Sequence, residues 1–192
     1  MAKIKGKLIE GVLFDRVIYL CEDFEKQIRL LLTQEAILVI YGAIQSSVCQ
    51  NILFEKVLVL IYDKDLDVKV ATIKLMVDLL QKIQEPSKRE KIAQVFTETF
   101  TNLQDKIILQ ISGCLARIIV DLSDIILKNN SYLNSVVNFY KEISRTKNDD
   151  IKCNFLLNFP AVIKYVDSKI YSNFKSNYIC LYNSPNPKIR LH

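Results

Sequence analysis

Acidic, amide and basic side chains that could bind a charged group recur at four places along this chain. Each cluster stands just before a run of apolar residues with helical spacing. Carboxylates and amides at such positions accept hydrogen bonds from the free amides of a helix start, and neighbouring Lys and Arg can pair with them. We expect them to align on one rim, here called the turn ridge: Asp63, Lys64, Asp65, Asp67, Lys69, Asp105, Lys106, Asn148, Asp149, Asp150, Lys152, Lys188 and Arg190.

Catalytic chemistry has little support in these residues. Adjacent carboxylates such as Asp149 and Asp150 suit acid–base or metal chemistry, but before an amphipathic run they are typical of a helix cap. The one histidine, His192, is the last residue, and no glycine-rich phosphate loop occurs. The five cysteines, at positions 21, 49, 114, 153 and 180, lack metal-site spacing and are predicted to be core residues. The sequence therefore predicts no enzyme, no metal and no cofactor.

The net charge of +5 arises from 26 basic residues, mostly Lys, spread among 21 acidic ones, which predicts a solvated surface more than a nucleic-acid site. The basic start is followed by Glu10, Asp15 and Arg16, so no signal-peptide core is expected. The uncharged stretch 36–54 is polar in its second half, which argues against a membrane span. These features favour a cytoplasmic protein, with a nuclear location also open.

A repeat near forty residues organises the chain. Equivalent apolar residues stand at intervals of 40, 39, 44 and 38, namely Ile28, Val68, Ile107, Ile151 and Ile189. With only four Gly and four Pro, the composition favours helices over a β-sandwich. We predict an all-α fold, a right-handed α-solenoid of helical hairpins forming one domain. The predicted repeats are 1–47, 48–85, 86–128, 129–167 and a truncated 168–192, as in a fragment of a longer array.

Individual helices carry further predictions. The helix from Val68 to Ile83 is apolar on most sides and should be largely buried, with Asp67 as its N-cap and one exposed edge comprising Lys74, Asp78, Gln81 and Lys82. Gly113 should cost its helix about 1 kcal/mol unless close packing requires it. Pro160 predicts a kink. Asn154 and Asn158, four residues apart, could satisfy backbone groups between neighbouring repeats if they are buried.

The unit resembles the HEAT repeat, an armadillo-like hairpin whose second helix follows an Asp- or Pro-containing turn, then Val, then Arg or Lys. The segments 65–69 (DLDVK) and 186–190 (NPKIR) carry this resemblance, whereas the third unit has Ile108 in the basic position. The segment 152–162 (KCNFLLNFPAV) is similar to the Asn-Phe-Pro-Ala segment of HEAT-repeat regulatory subunits of the protein phosphatase 4 regulatory subunit 4 family.

That resemblance implies a scaffold that binds the catalytic subunit of a type 2A-like serine/threonine phosphatase, with the turn ridge as the binding site. In the alternative interpretation, the turn charges only link successive repeats. A transport or vesicle-coat adaptor is a second possible function. A HEAT-like DNA glycosylase is a third, and its channel would be lined by Gln34, Tyr41, Arg117, Asp121, Lys164 and Tyr165 together with the exposed edge around Lys74.

Overall fold

The structure is a computed structural model that describes residues 9–102, 104–165 and 168–190. Regular secondary structure in these residues is helical throughout and includes no strand, which confirms the all-α prediction. No helix in these ranges is both long and apolar enough to cross a bilayer. His192 and the basic start of the chain, both used in the predictions, lie outside the described ranges.

The chain divides into two compact units, residues 1–83 and 84–192. The first contains a π-helical turn (Ile9–Leu13) that leads into the first α-helix, and a second π-helical turn (Leu32–Ala36) that joins the second and third. Its α-helices are α1 (Phe14–Leu20), α2 (Lys26–Leu31), α3 (Ile37–Ala43), α4 (Ser47–Leu60) and α5 (Leu66–Leu80).

Helix α5 is the central element of the first unit. It contacts α2, α3, α4 and the second π-helical turn, and Val68, Ile73 and Leu79 on it are fully buried. Its predicted polar edge is confirmed, since Lys74, Gln81 and Lys82 are exposed and Asp78 is half-buried. The predicted cap is wrong by two residues. The Asp65 side chain accepts a hydrogen bond from the Asp67 N–H (3.0 Å), so Asp65 is the N-cap and Asp67 lies in the first turn.

The second unit contains α6 (Pro86–Thr99), α7 (Asp105–Asp121), α8 (Ser123–Ile126), α9 (Asn130–Ser144), α10 (Asp149–Val162), a 3₁₀ turn (Ile163–Tyr165), α11 (Ser168–Tyr182) and α12 (Pro187–Arg190). Helices α7 and α10 share the most extensive helix contact. Between α9, α10 and α11, the Tyr140 ring stacks on Phe155 at 4.5 Å and meets the edge of Phe174 at 4.8 Å. Helix α10 continues through Pro160 and ends two residues later.

The cysteines are only partly core residues. Cys21, Cys114 and Cys153 are buried, and burial raises the pKa of the Cys21 thiol to about 11. Cys49 is half-buried, and Cys180 is exposed. The prediction was wrong for Cys180, which lies within an apolar run of sequence but on the outer side of α11.

Candidate protein-binding surface

One turn occurs five times in the chain with the same hydrogen bonds. Its first residue donates its N–H to the carbonyl three residues earlier, at 3.0–3.4 Å. The side-chain oxygen of that residue accepts the N–H two residues later, at 2.8–3.2 Å. The five residues are Asp23, Asp63, Asn102, Thr146 and Ser184, and their spacings of 40, 39, 44 and 38 equal those of the apolar repeat residues. Short polar side chains that bond the backbone in this way favour turns over helix, which explains why the preceding helix ends there.

In the first unit, the first two turns are joined by Arg29, the residue after Ile28. The guanidinium donates to both oxygens of Asp63, from Nε at 2.6 Å and from Nη2 at 2.8 Å. Its Nη1 donates to the carbonyls of Asp23 and Phe24. Both charged side chains are buried, with 5% and 8% of their surfaces exposed. This two-pronged ion pair is here called the Arg29–Asp63 fork. It is fully hydrogen-bonded and shielded from water, so it fixes the distance between the two turns.

The electrostatics of Asp63 reflect this contact. Burial alone would raise the pKa of its carboxyl, but hydrogen bonds from Arg29 and from the Asp65 N–H lower that pKa below its ordinary value. The hydrogen bond to Asp63 also raises the pKa of Arg29. Asp63 is therefore an anion held inside the turn, and its side chain points away from solvent.

The remaining charges of these two turns are more accessible. Lys26 lies 3.3 Å from Asp65 and 3.8 Å from Asp67, both of which belong to the next turn. Lys64 is exposed and its ammonium sits 4.9 Å from the centre of the Phe24 ring. Lys69 is half-buried.

In the second unit, the fourth and fifth turns are linked by different pairs. Asp149 accepts from the Asn186 amide at 2.8 Å and from Lys152 at 2.8 Å, and Lys152 is the largest contributor to the lowered pKa of Asp149. Asp150 pairs with Lys188 at 2.7 Å. Asn148 caps α10, since its side-chain oxygen accepts the N–H groups of Asp150 and Ile151.

In the first unit, the Asp63 side chain is buried and Lys64 is exposed. In the second unit, the ridge residues Asp105, Lys106, Asp150 and Lys188 are exposed. Arg190 is in α12, but its side chain lies outside what the structure describes. The site prediction left out Arg29, although the signal was present: a basic residue directly follows the apolar repeat residue in four of five units.

The Asn154 and Asn158 pair joins α10 to α7. The Asn158 side-chain oxygen accepts the Ala116 N–H at 2.7 Å, and its amide donates to the Ser112 carbonyl at 2.6 Å. Those two backbone groups are four residues apart, so one carboxamide brackets one turn of α7. Asn154 donates to the Ser112 hydroxyl at 2.9 Å.

Asn158 is buried and satisfies backbone groups of a neighbouring helix, as the sequence predicted. Phe159 is also buried, whereas Leu157 and Pro160 are exposed. Leu157 and Pro160 are therefore the most accessible positions in and beside this segment for a partner, and Ala161 is half-buried.

The residues named for a nucleic-acid channel have mixed exposure. Gln34, Arg117 and Lys164 are exposed, and Asp121 is half-buried. Tyr41 is buried, so it cannot stack on a nucleic-acid base as the glycosylase alternative requires. The side chain of Tyr165 lies outside the described part of the chain.

Within the described ranges, no three His, Cys, Asp or Glu side chains are grouped so as to hold a metal ion. No protein-family model matches the chain, and no curated protein matches its sequence.

Proposed function

We propose that this chain is a scaffold or regulatory subunit that binds the catalytic subunit of a type 2A-like serine/threonine phosphatase. In this proposal it forms part of a longer right-handed α-solenoid of HEAT-like repeats and acts in the cytoplasm or nucleus. The observation that carries the proposal is the fivefold recurrence of one hydrogen-bonded turn at the period of the apolar repeat. Arrays of this kind bind partners along extended surfaces.

The burial pattern supports the turn ridge as the binding surface. The buried Arg29–Asp63 ion pair holds the first two turns in place. The backbone that carries exposed charges such as Lys64 therefore has a fixed position. Large exposed rings lie in or beside the same turns: Phe24 is 85% exposed, Tyr19 75% and Tyr62 60%. Exposed aromatic residues near a set of charges are typical anchors of protein interfaces, where the rings supply affinity and the charges supply register.

The phosphatase assignment is supported by the Asn-Phe-Pro-Ala resemblance. In this chain the segment lies in α10, which also starts at the fourth turn with Asn148 as its cap. A catalytic subunit that contacts the fourth turn would therefore contact the helix that carries the resemblance.

The test is binding of the immobilised chain to a purified phosphatase 4-type catalytic subunit. Two charge-swapped ridge variants are compared, Lys64→Glu with Asp67→Lys and Asp105→Lys with Lys106→Glu. The matched control swaps Glu35→Lys with Lys128→Glu, both exposed and outside the turns. All three variants keep the net charge at +5. We expect at least about tenfold weaker binding for one or both ridge variants, because reversing several interface charges removes more than about 1.4 kcal/mol.

The outcomes separate the two parts of the proposal. Binding that is unchanged in both ridge variants would overturn the site but keep the phosphatase. An absence of saturable binding to the wild-type chain would overturn the phosphatase assignment. Equal loss in the control would show a general charge effect and also count against the ridge.

A further inference from the structure

The link between neighbouring turns is missing at one position in the second unit. In the first unit, Arg29 directly follows the apolar repeat residue and reaches Asp63, the first residue of the next turn. The equivalent positions for the third and fourth turns hold Ile108 and Thr146. An isoleucine and a threonine cannot form an ion pair, so the third and fourth turns lack the fork that joins the first and second.

A cleft opens at this position. It has a volume of about 240 Å³, and both Ile108 and Thr146 line it. Its other apolar walls are Phe139, Ile143 and Ile151, which are buried in the second unit. The cleft therefore occupies the position that a basic side chain and its carboxylate fill in the first unit.

The charges at the mouth of the cleft favour a cation. Asp105, Glu142 and Arg145 are among its lining residues, and together they carry a net formal charge of −1. Asp105 is exposed at the start of α7. Glu142 lies 3.6 Å from Arg145, but these side chains are 57% and 72% exposed. An exposed pair of this kind contributes at most about 1 kcal/mol, so an incoming cation can displace Arg145.

We infer that this cleft binds an arginine side chain presented by a protein partner. The methylene groups of the arginine would pack on Ile108 and Ile143, and its guanidinium would reach the carboxylates of Asp105 and Glu142. Arginine fits better than lysine because its planar head forms paired hydrogen bonds with carboxylates, as Arg29 does with Asp63. This inference rests on the proposed role of the turn ridge in binding a partner, and it names one contact within that surface.

The test uses a short probe and no phosphatase. The peptide acetyl-Ala-Arg-Ala-amide is titrated into the ¹⁵N-labelled chain at low ionic strength, and the amide signals of Ile108, Thr146 and Ile151 are followed. We expect saturable shifts at these residues. The control peptide carries citrulline, which has the shape of arginine without its charge. We expect its affinity to be at least about tenfold lower, because it cannot form the charge-assisted hydrogen bonds.

Two variants check that the cleft is the site. Ile108→Arg with Thr146→Asp rebuilds the fork of the first unit and should fill the cleft from within, so the peptide shifts should disappear while helicity and thermal midpoint are kept. Asp105→Asn is a milder change at an exposed residue and should leave the shape of the cleft unchanged. We expect it to lower the affinity for the arginine peptide by several fold.

Three outcomes would overturn the inference: no saturable shift with the arginine peptide, equal binding of the citrulline peptide, or unchanged binding to the folded double variant. If a phosphatase 4-type catalytic subunit binds the wild-type chain while the peptide fails, the inference falls and the proposed function stands. If the peptide binds as expected while that subunit does not, the cleft stands and the phosphatase assignment falls.

Discussion

Arg29 and Asp63 form a buried two-pronged ion pair that joins the first two of the five turns. Both side chains are almost wholly buried, so each charge has lost most of its hydration. The contact with the other charge offsets most of that free-energy cost. The pair is therefore costly to break from one side only. This relationship leads directly to the first two predictions.

Removing one partner of the pair should destabilise the first unit strongly. We expect Arg29→Leu to lower the free energy of unfolding by about 3–5 kcal/mol, because it leaves the Asp63 carboxylate buried without a counter-ion. The measurement is urea unfolding followed by circular dichroism. Arg29→Leu combined with Asp63→Leu should recover a large part of the loss, since no uncompensated charge remains. A single variant as stable as wild type would show that the pair is accessible to water.

Acid should weaken the same contact. The pKa of Asp63 is lowered in the folded chain relative to about 3.9 in an unfolded one. The unfolded chain therefore takes up protons first, so the stabilisation is present above about pH 4 and is lost as the pH falls through the lower folded pKa.

The check is the difference in unfolding free energy between wild type and Asp63→Asn at pH 7 and at pH 3. We expect the difference to shrink at pH 3. Asp149→Asn serves as the comparison. The pKa of Asp149 is also lowered, but its side chain is more exposed, so water screens its contacts and a smaller pH effect should follow. A difference that stays constant with pH would contradict the assignment to Asp63.

Much of the helical framework could be predicted from the sequence because its signals are local. Apolar spacing in 68–83 indicates one helix, and Asp65, Asn129 and Asn148 mark the starts of α5, α9 and α10. The turn at Asp63 is formed by hydrogen bonds between residues two or three apart. Such contacts depend little on the rest of the fold.

Contacts between distant residues could not be predicted in the same way. The burial of Asp63 depends on Arg29, 34 residues away, and the bracket around α7 depends on the register between α7 and α10. Tyr41 and Cys180 show the same limit, since both lie in apolar runs but one is buried and the other exposed. The spacing of residues in the sequence shows which of them share one face of a helix. Which of those faces is buried depends on how the helices pack in the fold.

The amide bracket between α10 and α7 should make Asn158 a sensitive position. Asn158→Ala leaves the Ala116 N–H and the Ser112 carbonyl without the side-chain partner that each has now, so we expect a loss of about 1–3 kcal/mol. Urea unfolding measures it. The matched control is Leu157→Ala, the exposed neighbour on the same helix, which should cost under about 0.5 kcal/mol. Equal effects at the two positions would argue against the bracket.

Gly113 offers a stabilising substitution. An added Cβ would meet the Asn154 amide nitrogen at 3.7 Å, which is ordinary van der Waals contact. Close packing therefore does not require glycine here, and the helix bears its conformational cost. We expect Gly113→Ala to raise the free energy of unfolding by about 0.5–1 kcal/mol. A loss of stability would mean that the methyl group disturbs the Asn154–Ser112 hydrogen bond.

The thiols should react in an order set by burial. Cys180 is exposed, Cys49 is half-buried, and Cys21, Cys114 and Cys153 are buried. Because thiolate is the reactive form, the raised pKa of Cys21 slows its reaction further at neutral pH. Iodoacetamide followed by peptide mass spectrometry should label Cys180 first, then Cys49, with the other three labelled only after urea is added. Cys180→Ser should remove the fast phase and leave the slower labelling unchanged. Rapid labelling of Cys21 in the native chain would contradict the burial of this residue at the end of α1.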